Sequence, residues 1–387
     1  MDAFPEEAPF RNEIRTWLAD HLVGEFAALR GLGGSGSEHE AYPERIAWNR
    51  HLAASGWTCL GWPEEYGGRG FGLTRQVVFH EEYARANAPA RVNHLGEELL
   101  GPTLIARGTD AQKERFLPPI VAVDELWCQG YSEPDAGSDL ANVRTRAHRE
   151  GDDWVIDGQK IWTSLAQHAD WCFAVVRTEP GSRRHAGLSY LLVPLRQPGV
   201  TIRPIRQLTG TSEFNEVFFT GARTRADLVV GEPGDGWRVA MATLSYERGV
   251  STIGQQVGFA RELAEIVAEA RANGSVDDPW IADRIATSKL GLEVLRTHAL
   301  RTLAGAPAPG ADNVQKLLWA RWHRELGELA MQVRGAPGLT VGAPYVPDRR
   351  QSMFLFARAD TLYGGSDEIQ RTIIAERVLG LPKEPRA

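Results

Sequence analysis

Through the first 120 residues, apolar positions recur at the 3–4 spacing of an amphipathic helix. Phe10, Ile14, Trp17, Leu18 and Leu22 form one face, and Arg45–Ser55 carries a second. The same period predicts helices over Thr74–Ala86 and His94–Ala106, and a short one over Ala111–Phe116 closed by Pro118–Pro119. From about Val123 to Gly231 the period shortens to that of strands. Strands are predicted over Arg144–Arg149, Trp154–Ile156, Cys172–Arg177, Leu188–Val193, Val200–Ile205 and Glu216–Thr220. Glu150–Asp153 reads as a hairpin turn and Asp157-Gly158 as a second turn. Six short strands without interleaved helices predict a small antiparallel barrel or sandwich.

From Gly236 the helical period returns. It runs to about Gly274, then over Ile281–Leu303 and Asn313–Val333, which the linker AGAPAPGAD separates. A loop over Gly335–Pro347 and a helix over Asp348–Leu362 follow. The last helix has Ser366 as N-cap, Asp367 and Glu368 in its first turn, and a stop at Gly380 and Pro382. The fold class predicted is α+β, with an N-terminal helical domain over 1–122, a β domain over 123–232 and a C-terminal helical bundle over 233–387.

The stretch after Gly236 carries the candidate chemistry. Val239, Tyr246, Val250, Ile253, Val257, Ala260, Ala264 and Val267 fall on one row and read as a buried stripe. One residue on, about 100° round a helix, the row is Ala240, Thr243, Leu244, Glu247, Ser251, Gly254 and Gly258. Glycines in mid-helix cost about 1 kcal/mol each, and a solvated face leaves them unexplained. A row of small residues lets a backbone or a flat ligand come close, with Glu247 pointing into the contact. Glu247 is therefore the candidate general base; the plainer account is an exposed glutamate beside Arg248.

Composition narrows the classes. A net charge of −7 and no basic run interleaved with aromatics argue against a nucleic-acid partner. Cys59, Cys128 and Cys172 are too few and too scattered for a disulfide framework or a zinc site. The acidic start lacks the apolar core of a signal peptide, and no apolar run reaches the roughly 20 residues of a membrane span. The expectation is a soluble cytoplasmic protein. Gly31, Gly33 and Gly36 fit a dinucleotide-type GxGxxG but follow a helical segment instead of a strand, so they read as a loop. His80, Glu81 and Glu82 are adjacent on a helix and lack a second histidine one turn on, so no metal is expected.

Three blocks carry a family resemblance: GYSEPDAGSDLANVRTRA (130–147), DGQKIWTS (157–164) and YGGSDEIQRTIIAERVLG (363–380). In this order, across a helical–β–helical chain, they resemble the acyl-CoA dehydrogenase family. The resemblance implies an N-terminal helical domain, a middle β domain and a C-terminal four-helix bundle, with FAD between the last two. It places the flavin ring against Gln129, Tyr131, Ser132, Trp162 and Ser164, with Gly137 and Ser138 in the flavin and substrate loop and Ser138 beside the acyl-CoA channel. It assigns the ADP end, partly from a neighbouring subunit, to Arg271, Gln332, Gly335 and Ser366, and adds Glu368. The family's R-x-x-F-G is ARANG here, and its G-G-x-G is Gly335-Ala336-Pro337-Gly338.

Medium-chain members carry the base as the Glu of Y-E-G-T, where this chain has Gly364. Isovaleryl- and long-chain-type members carry it on the long helix, at the position matching Glu247. The implied reaction is α,β-dehydrogenation of an acyl-CoA thioester. Glu247 takes the α-proton, flavin N5 the β-hydride, and the backbone N–H of Gly364 meets the thioester oxygen; Tyr246 and Arg248 lie beside the substrate. Electron-transfer flavoprotein is the implied acceptor. A homodimer or homotetramer is one implied assembly. An α2β2 pairing of the kind that acts on steroid side chains is another, and a carrier-protein thioester is an alternative substrate.

Overall fold

A computed structural model describes residues 4–246, 251–303 and 309–383. The chain opens with α1 (Ala8–His21), α2 (Tyr42–Ala54), α3 (Leu73–Arg85), α4 (Gly101–Arg107) and α5 (Asp110–Ala122). Phe10, Ile14 and Leu18 bury one face of α1, as their spacing predicts. Thr109 and Gln112 form a capping box that starts α5. The helix does not close at Pro118–Pro119 but runs through both. Their rings leave the carbonyls of Glu114 and Arg115 without helix donors, and both of those residues are exposed, so water can serve them.

Seven strands follow: β1 (Trp127–Gly130), β2 (Arg146–Glu150), β3 (Asp153–Ser164), β4 (Trp171–Arg177), β5 (Leu188–Pro194), β6 (Val200–Ile205) and β7 (Phe214–Arg225). Their order is β1-β4-β2-β3-β7-β6, with β5 on β4. The expected antiparallel sheet is mixed: β1 runs parallel to β4, with Trp127 opposite Trp171, and β2 touches β4 in parallel at Arg146 and Arg177. A parallel pair needs a long crossover, and the chain from Tyr131 through the β2–β3 hairpin supplies it.

Glu150–Asp153 is the hairpin turn expected. Asp157-Gly158 is not a turn. It lies inside β3 at a register shift, and Gly158 has φ +150°. A Cβ there would lie 2.5 Å from the Thr145 hydroxyl, so the glycine lets the neighbouring chain pass close by.

The remainder is helical: α6 (Gly236–Tyr246), α7 (Ser251–Ala272), α8 (Pro279–Leu303), α9 (Ala311–Arg334), α10 (Arg349–Phe356) and α11 (Asp367–Ile373). Val239 of α6 is buried as the predicted stripe requires, but along α7 the buried positions are not those of that stripe. α7 buries Phe259, Leu263, Ile266 and Ala270, whereas Ala260 and Ala264 are exposed. One core joins Trp62, Leu100 and Phe116 of the first helical region to Tyr131, Phe173 and Tyr190 of the sheet and Val239 of α6. The opposite sheet face packs Ile156, Val176, Leu191 and Val217. A third core lies among α7, α8 and α9, and α10 and α11 pack on α9.

Candidate active site

The loop after β1 and the end of β3 form one surface. The buried Lys160 ammonium donates to the carbonyls of Tyr131 (3.1 Å) and Val175 (2.6 Å) and to the Glu133 carboxylate (2.8 Å). Glu133 also accepts the backbone N–H groups of Arg144 (2.5 Å) and Thr145 (2.9 Å). Burial alone would raise its pKa, but Lys160 and these donors hold it below the usual carboxylate range. The N–H of Ile161 donates to the Ser132 carbonyl at 2.9 Å. Gln129, Tyr131, Ser132, Trp162 and Ser164 are thereby brought together.

The register slips by one residue between Lys160 and Thr163. Trp162 sits on this bulge at φ +59°, a strained backbone for a bulky residue, with its ring 55% exposed and edge-on to Phe214. On the neighbouring strand β1, the Gln129 amide nitrogen is buried without a protein partner. An exposed flat ring on the same sheet as an unserved amide fits a planar, hydrogen-bonding cofactor. Thr163 pairs with the buried Asn215, on the strand face away from Trp162 and Ser164. Gly137 and Ser138 lie exposed on the loop that leaves β1.

A cavity of about 600 Å³ opens between the first helical region and the C-terminal bundle. Its walls include the Gly31–Ser35 loop, His80 and Tyr83 of α3, Gly254 and Gly258 of α7, Trp319 of α9, and Gly364. The row of small residues on α7 thus faces a space large enough for a ligand. Gly254 is needed for another reason as well, since a Cβ there would lie 3.3 Å from both the Cβ and the carbonyl of His80. A Cβ at Gly258 would meet nothing within 4 Å. Burial, then the nearby Arg91, pushes His80 down to about 4, so it is a neutral wall residue at pH 7.

Gly364 and Gly365, at φ +61° and +82°, form the left-handed turn at the cavity mouth. Ser366 caps α11, accepting from the Ile369 N–H at 3.4 Å, and Glu368 is exposed in the first turn. Tyr246 of α6 packs at the edge of the first core. Glu247 and Arg248 lie outside the described residues.

The other expected cofactor residues stand apart. The Asn273 side chain donates to the Val333 carbonyl at 2.8 Å, which gathers Arg271, Gln332 and Gly335 at one end of the bundle. The Gln332 side-chain oxygen is buried there without a protein partner. From Trp319 to Gln332 along α9 is roughly 20 Å, at the usual rise per residue. The expected cofactor set therefore forms three groups: the strand surface, the Gly364–Glu368 turn, and the far end of α7 and α9.

No helix among the described residues is long and apolar enough to cross a membrane. Family models for the acyl-CoA dehydrogenase N-terminal, middle and C-terminal domains match residues 5–124, 128–222 and 234–379. Acyl-CoA dehydrogenase IpdE1 of Mycobacterium tuberculosis is 65% identical over 97% of this chain and 98% of its own length. The Mycolicibacterium smegmatis protein of that name is 64% identical over 98% and 99%. Among solved structures, the Tcur3481-Tcur3483 steroid ACAD has a TM-score of 0.84 and 29% identity, covering 99% of this chain and 100% of that one. The ChsE4-ChsE5 complex of Mycobacterium tuberculosis gives 0.81 and 32%, covering 98% of each. Three domains matched in order, full-length relatives and a strand surface shaped for a flat cofactor lead to one conclusion: this chain belongs to the acyl-CoA dehydrogenase family of FAD-dependent oxidoreductases.

Proposed function

We propose that this chain oxidises an acyl-CoA thioester to its trans-2-enoyl product, with Glu247 as the base that removes the α-proton. One observation carries the reading. The cavity sets the left-handed turn at Gly364 opposite Gly254 and Gly258 of α7, the row to which the sequence periodicity assigns Glu247. The α-proton of a thioester is weakly acidic, so its removal needs a fixed donor at the carbonyl oxygen. The N–H of residue 364 supplies one without a side chain in the way. A cavity closed around the acyl group excludes water and lifts the pKa of a glutamate base toward neutrality. Tyr246, Arg248 and Ser138 border the thioester in this reading.

FAD, when bound, supplies the acceptor for the β-hydride. Gln129, Tyr131, Ser132, Gly137, Ser138, Trp162 and Ser164 would hold its ring end, as the unserved Gln129 amide and the exposed Trp162 ring support. Arg271, Gln332 and Gly335, at the far end of the bundle, would hold the ADP end of a neighbouring subunit's FAD, with Ser366 and Glu368 on the turn. Electron-transfer flavoprotein then reoxidises the enzyme.

A second reading concerns assembly and substrate. Two of the similar structures are pairs of unlike chains, and one is described as a steroid ACAD. This favours an α2β2 assembly acting on a steroid-side-chain thioester, with this chain as the half that carries the base. A panel of octanoyl-, isovaleryl- and steroid-side-chain acyl-CoA, read by flavin bleaching, ranks the substrates. Glu247→Gln should abolish turnover of the best of them while the protein stays yellow; undiminished turnover rejects the assignment.

A further inference from the structure

The Tyr363–Gly365 turn is clamped from two sides. On one, the Tyr363 phenol donates to Asp360 Oδ1 at 2.6 Å, and His323 Nδ1 meets Asp360 Oδ2 at 2.6 Å. The other imidazole nitrogen reaches Glu262 Oε2 on α7 at 3.1 Å. On the opposite side, the Gln370 amide donates to the carbonyls of Gly364 (3.0 Å) and Gly365 (3.3 Å), and Asn313 of α9 donates to the Gln370 side-chain oxygen at 2.6 Å. The Phe259 ring stacks on His323 at 4.6 Å and screens it from water. From α9, the Lys316 ammonium donates to the Asp360 carbonyl and lies 4.9 Å from the Tyr363 ring centroid.

We infer that His323 and Asp360 are positioning residues for the dehydrogenation step. Through the Tyr363 phenol they orient the 363–364 peptide, and through Glu262 they tie it to α7, so that the N–H of residue 364 keeps a set direction against the α7 wall of the cavity. This rests on the reading of the site given above. Buried ionic groups add little net stability over apolar packing, but hydrogen bonds fix direction, which packing alone does not. Direction matters here, because a misplacement of about 1 Å at a reacting centre can cost on the order of a hundredfold in rate.

Burial alone would lower the pKa of His323, but hydrogen bonds to Asp360 and then Glu262 lift it to about 10. Both ring nitrogens therefore donate at neutral pH. A folded value raised above the unfolded one gives stabilisation that is complete below about 6.5 and lost as pH rises through about 10. The facing charges are Asp360, Glu262 and Lys316.

The test uses the purified holoenzyme and the thioester that bleaches the flavin fastest in the panel above. Tyr363→Phe cuts the link to the turn while leaving the imidazole between its carboxylates. It should lower kcat by about tenfold or more with little change in KM, and amide exchange over residues 362–365 should quicken without thioester present. His323→Gln should do the same. The double variant should be no slower than the worse single one, because both changes cut one path. Wild-type kcat in Tyr363→Phe and His323→Gln, while Glu247→Gln is inactive, would overturn the inference; so would additive losses. An active Glu247→Gln instead rejects the chemical reading. In that event unaltered exchange at 362–365 in His323→Gln sinks the positioning role separately.

Discussion

Glu213 stands where the first glycine loop meets the sheet. Its carboxylate is 4% exposed and accepts the backbone N–H groups of Gly36 and Glu38, each at 2.9 Å. It thus holds one end of the loop that walls the cavity. Burial raises its pKa from 4.5 to about 7, even though the Glu38 and Gly36 amides oppose the rise. The folded state therefore binds this proton more tightly than the unfolded chain. Stability from this group is full below pH 4.5 and declines as pH rises to 7, by about 3 kcal/mol under linkage. Glu213→Gln should flatten that decline, seen as a smaller fall in Tm between pH 5 and 7. An unchanged slope would show that Glu213 titrates normally. Nothing in the sequence marks this residue. Its partners lie 177 and 175 residues away, and no local period encodes such a contact.

Elements were legible where one period governs them and illegible where two effects compete. The helices over residues 281–303 and 313–333 emerge within a few residues of their expected bounds, because a single buried face fixes each. β1 is four residues long and too short to show alternation; it exists because β4 offers it a parallel edge. Asp157-Gly158 carries turn chemistry, yet β7 pairs through it and makes it a bulge. The two glycines of α7 show the same competition. Gly254 answers to the backbone of α3, whereas Gly258 faces open cavity. Gly258→Ala should therefore stabilise α7 by up to about 1 kcal/mol. The added methyl should raise KM for bulky thioesters more than for octanoyl-CoA. A higher Tm with every KM unchanged would remove Gly258 from the substrate wall.

At the scale of the whole molecule, one exposed face calls for a partner. Ala282, Ala286, Leu290 and Val294 follow one another at four-residue spacing along α8, and all four are exposed. Single exposed apolar residues are ordinary, but a four-residue row is the ridge by which helices pack on one another. The inner face of α8 is already occupied, with Leu292 and Leu295 in the bundle core and Gly291 against Trp322. We propose a second subunit, like or unlike, as the occupant; it would also account for Arg271, Gln332 and Gly335 standing at the far end of α9, roughly 20 Å along the helix from Trp319. If those residues hold a neighbour's FAD, assembly and flavin content must change together. Leu290→Glu with Val294→Glu places two carboxylates in the proposed contact, where burying them unpaired is prohibitive. Sedimentation should then show a smaller species and absorbance a lower flavin-to-chain ratio, while the far-UV circular dichroism stays that of the folded chain. An unchanged assembly clears α8 of this role. A smaller species that keeps all its flavin would show that each chain holds FAD by itself, and the bundle end would lose its cofactor assignment.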